Sequence, residues 1–306
     1  MCIRDRLLPA HWAGDEDSTW EAYRASLTAG LSAGVSGVAF WGWDIAGFSG
    51  PLPTSELYQR ATAMAAFCPI MQYHSEYNGH RRPLADRTPW NMAEQTGDRR
   101  ALEVYRHYSR LRMNLVPYLF DQGVVAAQTG LPIMRAMALA FPADANASRL
   151  DDQYMLGSEL LVAPVLEPGA TRRRVYLPSG EWFDFWTGEL VDDGWRTVPA
   201  PLDRIPVFVR QGAVVPLWMP PDDVSLAALV GLPGDGDGRL VLMITPGEGA
   251  GVITEPVTRE RWPVEIRRDS NSVTVTAGEA PDGTVVWLRG PRTCLLYTSD
   301  AADESS

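Results

Sequence analysis

His11-Trp-Ala-Gly-Asp15-Glu-Asp-Ser-Thr-Trp20, running on to Val35-Ser-Gly-Val-Ala-Phe-Trp41-Gly-Trp-Asp44-Ile-Ala-Gly-Phe48-Ser-Gly50, is the stretch whose reading decides the fold. Between its two acidic, Trp-flanked clusters, residues 20–33 predict a helix, with Leu27, Leu31 and several alanines for packing and a stop at Gly34. The apolar run 35–41 is too short for a second helix and reads as a buried strand. The local order is therefore loop, helix, strand, loop, with Asp15 ahead of the helix and Asp44 just past the strand. In a parallel α/β barrel, catalytic groups sit at such C-terminal strand ends. Carboxylates beside indole rings also suit sugar chemistry, where the acid needs a raised pKa and the sugar's apolar face needs a flat surface.

Residues 7–15 read as the end of a barrel strand and its loop, with Ser18 and Thr19 as N-cap candidates. Downstream, Ser49-Gly-Pro-Leu-Pro-Thr54 is loop chemistry, and Thr54 opens a capping-box-like start to a helix over 57–67. Residues 69–73, short and apolar, read as the last barrel strand, delivering His74. Residues 75–91 read as a polar loop with Arg81, Arg82, Arg87 and Trp90. Over 99–127, Leu102, Tyr105, Tyr108, Leu111, Leu115 and Leu119 recur at helical steps, so one face is buried, with a kink or restart at Pro117.

From Leu131 the texture changes. Short β-rich runs at 160–165, 173–177, 182–185 and 207–210, with turns between them, predict a β-sandwich. A linker over 216–223 is expected before weaker strands at 239–244, 263–267, 272–276 and 284–288.

Trp12-Ala-Gly-Asp15, Phe40-Trp-Gly-Trp-Asp44-Ile-Ala-Gly-Phe48 and Phe67-Cys-Pro-Ile-Met-Gln-Tyr-His74 resemble, in this order, glycoside hydrolase family 31, the family of retaining α-glucosidases and α-xylosidases. Leu131-Pro-Ile-Met-Arg-Ala-Met137, Asp152-Gln-Tyr-Met-Leu-Gly157, Leu161-Val-Ala-Pro-Val165 and Trp182-Phe-Asp-Phe-Trp-Thr-Gly188 extend the likeness. It implies a multidomain α/β plus β chain: the C-terminal part of a (β/α)8 TIM barrel over 7–130, a proximal β-sandwich over 131–218 and a distal β-rich domain over 219–292. Residues 1–6 and 293–306 resemble translated sequencing-adapter read-through and are set aside. The chain is then expected to be a C-terminal piece of a longer enzyme.

By the same likeness Asp15 is the general acid/base, and Asp44 and His74 hydrogen-bond the sugar in the subsite before the cleaved bond. Trp12, Trp41 and Phe48 wall that subsite. The plainer readings are a helix-capping Asp15, a turn-capping Asp44, a structural histidine and core aromatics. A retaining glycosidase needs a second carboxylate about 5 Å from the acid. The resemblance places that nucleophilic aspartate upstream of anything present, and neither Asp17 nor Asp44 is expected to replace it. The implied activity is hydrolysis of terminal α-glucosyl or α-xylosyl residues by double displacement, with the chain alone inactive. The rivals are a non-catalytic carbohydrate-binding relative, a transglycosylase and a sulfoquinovosidase.

The chain has 306 residues, 45% apolar and 21% charged, which is ordinary for a globular protein with a large core. Its net charge of −11 argues against nucleic acid and anionic membrane surfaces as partners, leaving a small carbohydrate. The three cysteines, Cys2, Cys68 and Cys294, give neither a disulfide framework nor metal-ligand spacing, and no cofactor or metal is expected. Nothing fixes the oligomeric state. Localisation is equally open, with the cytoplasm favoured slightly. Glu16 and Asp17 read as exposed loop charges. Arg81, Arg82 and Arg87 read as exposed and salt-bridged in preference to an anion site, and Arg135 and Asp152 as a structural pair.

Overall fold

The computed structural model describes residues 10–74, 86–234, 236, 238–270, 272–278, 280–281 and 283–290, with the backbone of Cys294–Tyr297. Arg81 and Arg82, Met1–Arg6 and most of the C-terminal adapter-like segment lie outside the described residues. The chain packs as two units. One comprises Met1–Ser109, Val125–Pro178 and Gly194–Val207, the other Arg110–Val124, Ser179–Asp193 and Phe208–Ser306.

The first unit opens with strand β1 (His11–Trp12), helix α1 (Trp20–Val35) and strand β2 (Trp41–Gly42). β1 and β2 run parallel, with His11 opposite Trp41 and Trp12 opposite Gly42. A third extended segment joins through a parallel bridge between Asp44 and Gln72. Side-chain alternation then sorts the residues. Trp41 and Trp43 face α1, Trp41 lying over Gly30 and Trp43 stacked on Tyr23 at 5.5 Å.

The strand expected over 35–41 is shorter and later. α1 continues to Val35, which is 63% exposed, and Ser36 caps it. Gly37 then turns the chain with a φ of 92°. Extended pairing begins only at Trp41, where β1 lies alongside. Thr19 supplies the N-cap, its hydroxyl accepting from the Ala22 amide at 3.1 Å.

Helix α2 (Ser55–Ala65) is capped by Thr54, and α3 (Pro89–Thr96) by Thr88 with Pro89 in its first turn. Trp90 and Asn91, expected in a polar loop, are therefore helical. The long helix expected over 99–127 is two, α4 (Arg100–Asn114) and α5 (Val116–Thr129), interrupted just ahead of Pro117. From α2, the buried Arg60 donates to the carbonyls of Pro201, Ala170 and Ala200 at 2.7–2.9 Å. Burial pulls its pKa down, and those three charge-assisted bonds offset the desolvation.

Met134–Ala136, Tyr154–Leu156 and Leu160–Val162 form successive antiparallel pairs, and Arg172–Leu177 pairs with Gly194–Pro199. α1 packs against the first of these strands through Gly34, where a Cβ would lie 3.0 Å from the Met134 carbonyl. Asp152 pairs with Arg173 at 2.8 Å, while Arg135 Nε donates to the Pro132 carbonyl.

The second unit contains a sandwich. Val214–Met219 pairs antiparallel with Arg239–Ile244, which runs parallel to Val285–Leu288. The second sheet is an antiparallel meander of Gly249–Thr254, Arg261–Arg268 and Val273–Ala277. Arg261–Arg268 alternates strictly, burying Trp262, Val264 and Ile266 against Leu240, Leu242 and Ile244 of the other sheet. Pro216, expected in a linker, sits within a strand. It is tolerated because that strand is at the sheet edge, where a missing amide breaks no ladder. Cys294–Tyr297, set aside on sequence, pairs antiparallel with Val285–Leu288.

Candidate active site

The ends of two parallel strands deliver the expected residues together with the segment before His74, where the strand expected over 69–73 is reduced to one parallel bridge at Gln72. The Asp44 carboxylate, 4% exposed, accepts from Trp12 Nε1 at 2.8 Å on one oxygen and from Gln72 Nε2 at 3.1 Å on the other. Both donors are neutral. A carboxylate has about four acceptor positions, so further donors such as sugar hydroxyls fit the remainder. Phe48 lies against His74, ring centroids 3.9 Å apart, and meets the Trp12 indole at 5.8 Å, edge on. His74 Nε2 is shut off from solvent with no hydrogen-bond partner. Asp44, Trp12, Phe48 and His74 therefore converge.

Trp41 does not join them. It is 3% exposed, and its ring fills the space over Gly30 of α1. Asp15 lies in the loop after β1, just past Gly14, and its side chain is exposed.

The neighbouring Glu16 is the enclosed carboxyl. Both its oxygens are buried without a hydrogen-bond partner, in an open cleft of about 460 Å³ shared with Ala22 and Ser26. Ser26 gives its own hydroxyl proton to the Ala22 carbonyl. Burial pushes the Glu16 pKa up, and the charges of Asp44 and Asp15 push the same way. The exposed loop charge expected at this position is thus corrected for Glu16, while Asp17 is exposed as expected.

The loops after the strands are tied to one another. The Glu16 carbonyl accepts from the Phe48 and Ser49 amides, both at 2.8 Å, and the Ser18 amide donates to the Ser49 carbonyl at 3.3 Å. Gly47 makes that approach possible: its φ is 101°, and a Cβ there would lie 2.8 Å from the Asp17 carbonyl. Ala46 precedes it at a φ of 61°, closing the turn that returns Phe48 toward Trp12.

A family model described as the glycosyl hydrolases family 31 TIM-barrel domain matches residues 5–122, and one described as the family 31 C-terminal domain matches 130–215. The chain belongs to glycosyl hydrolase family 31.

Among its family 31 relatives, a 1,3-alpha-isomaltosidase of Kribbella flavida is 54% identical over 65% of this chain and 28% of that one. An isomaltosyltransferase of Sporosarcina globispora is 48% identical over 67% of this chain and 19% of its own length. The structure of a cycloalternan-forming enzyme from Listeria monocytogenes in complex with a pentasaccharide substrate superposes with a TM-score of 0.87 at 40% identity. It covers 91% of this chain and 27% of that one. The chain thus spans under a third of the length of these relatives.

Against this family 31 frame, three residues stand out that the sequence reading assigned no part in the site: Gln72, Glu16 and Arg87. Gln72 had a signal in its spacing, two residues before His74 in an extended segment, where alternate side chains share a side. Arg87, expected to be exposed and salt-bridged, is 2% exposed. It donates to the Ser18 hydroxyl, from Nε at 3.1 Å and Nη2 at 2.9 Å, and from Nη2 to the carbonyls of Ser49 at 2.8 Å and Gly50 at 3.3 Å. Among the described residues no group of three or more His, Cys, Asp or Glu is placed to hold a metal.

Proposed function

We propose that this chain carries the acid/base half of a retaining α-glycosidase site acting on α-linked gluco-oligosaccharides. The observation that carries the reading is the joining of loops 13–19 and 44–50 at parallel strand ends. Asp15 lies on the first, and Asp44, held by Trp12 and Gln72 beside His74, on the second. Asp44 and His74 hold the hydroxyls of the sugar before the cleaved bond, and Trp12 and Phe48 flank it. Trp41 is left to the strand–helix packing.

Asp15 donates its proton to the glycosidic oxygen as that bond breaks. A second carboxylate takes the anomeric carbon, and Asp15, now ionised, draws the proton from the incoming water. That nucleophile is assigned to the part of the relatives' length that this chain does not span. The division into a barrel end (7–130), proximal sandwich (131–218) and distal domain (219–292) belongs to the same reading. So does the choice of isomaltosyl units as glycone, which rests on the names of the 54% and 48% identical relatives.

Transfer to a sugar in place of water is a second reading, favoured by the likeness to an isomaltosyltransferase and a cycloalternan-forming enzyme. Both readings use Asp15 identically until the acceptor arrives. In the whole protein, Asp15→Asn is expected to lower kcat/KM on an α-glycoside with a poor leaving group by about 10²–10⁴-fold, the usual contribution of a general acid. An α-glycosyl fluoride, which needs no protonation, is spared. Equal loss on both substrates would contradict the assignment.

A further inference from the structure

We propose that Arg87 is a positioning residue for Asp15, its buried guanidinium locking the acid-bearing loop onto the loop that carries Asp44. The proposal rests on the reading of Asp15 given above and deepens it.

Arg87 is anchored at three places. Its backbone amide donates to the His74 carbonyl at 3.1 Å, fixing it to the segment that delivers the site histidine. Its own carbonyl accepts from the Tyr58 hydroxyl at 2.9 Å, which ties it to α2. Its side chain reaches the Ser18 hydroxyl on one loop and the Ser49 and Gly50 carbonyls on the other.

Burying a guanidinium to 2% exposure costs several kcal/mol unless its donors are filled. Here at least four donor contacts go to loop acceptors, so the charge is placed to organise those loops. Ser18 lies three residues after Asp15 and one before the Thr19 cap of α1. Between them, the Glu16 carbonyl is already bonded to the Phe48 and Ser49 amides. The segment bearing Asp15 is thus held on its C-terminal side by main-chain bonds and one buried cation, while the carboxyl itself stays free to meet a glycosidic oxygen. A displacement of about 1 Å in an acid costs on the order of 10²-fold in rate, so a clamp at this distance is kinetically visible. Lysine is no substitute, because a single ammonium lacks the planar fork that serves the hydroxyl and two carbonyls together.

A general loss of structure would slow all substrates alike, whereas misplacing the acid penalises only those that need a proton on the leaving group. The test is kcat/KM in the whole protein for a phenyl α-glycoside and for the α-glycosyl fluoride of the same sugar. Arg87→Lys and Ser18→Ala are compared with Asp15→Asn as the control. Arg87→Lys is expected to lose about 10²-fold on the phenyl glycoside and under about threefold on the fluoride, with Ser18→Ala giving a weaker version of the same pattern. Equal losses on both substrates, while Asp15→Asn discriminates between them, overturn the clamp and leave the Asp15 assignment standing. Asp15→Asn failing to discriminate overturns both. Should Arg87→Lys not fold, Ser18→Ala decides by the same comparison.

Discussion

Glu16 is a carboxyl whose burial outweighs what its own amide and Ser26 can offer it, beside the loop charges of Asp15 and Asp44. Its folded-state pKa lies above the unfolded value of 4.5, so the native state binds the proton more tightly. Stability is then highest while Glu16 is protonated and falls as pH rises from 4.5 through the raised folded pKa. Glu16→Gln removes the charge and keeps the shape. Its melting temperature in this chain is expected to exceed the parent's near about pH 7, with the gap closing toward about pH 4. Scanning calorimetry at both pH values checks this, and a variant that melts lower at neutral pH would show that the carboxylate is solvated after all. Asp15 and Asp44 could be singled out as candidates because their motifs are local. Glu16 and Arg87 could not, since each reads as one more charge in a polar loop. Glu16 is covered through the turn into α1, beside Ala22 and Ser26, and Arg87 through loops 37–69 residues away, which no neighbouring residue announces.

At the scale of elements, α1 shows how composition can hide a contact. Gly30 in mid-helix sacrifices about 1 kcal/mol of helix propensity relative to alanine. A Cβ there would lie 2.8–3.0 Å from the indole of Trp41, which is itself 3% exposed and has little room to shift. Overpacking of that kind costs about 1–3 kcal/mol, so it outweighs the propensity gain. Gly30→Ala is expected to destabilise the chain by up to about 2 kcal/mol net, and a rise in melting temperature would contradict the contact. The caps at Thr19 and Thr54 and the break before Pro117 were readable because each depends on one side chain's chemistry. β2 was over-read, because an apolar run says that a segment is buried but not where its partner strand lies. Gly249–Thr254 was not anticipated, since its two glycines carry no side chain to mark a strand, yet it pairs along its whole length with Arg261–Arg268.

On the scale of the whole molecule, family membership and architecture were both legible, because motifs spread from Trp12 to Gly188 keep one order. In the distal part the strand Arg261–Arg268 was legible from its alternating residues, whereas Val214–Met219 was not, because a proline sits in it at the sheet edge. Substrate choice between glucoside and xyloside was not legible, and the relatives span both, an alpha-glucosidase of Bacillus thermoamyloliquefaciens and an alpha-xylosidase of Saccharolobus solfataricus among them. The central claim is that Asp15 is the acid/base of a double displacement. Azide tests it directly, since a small anion needs no general base and enters the space left by a truncated side chain. With Asp15→Ala in the whole protein and an α-glycosyl fluoride as donor, added azide is predicted to restore turnover and yield the α-glycosyl azide, with configuration retained. A β-glycosyl azide would make Asp15 the nucleophile, and no azide-dependent turnover would remove it from the chemistry.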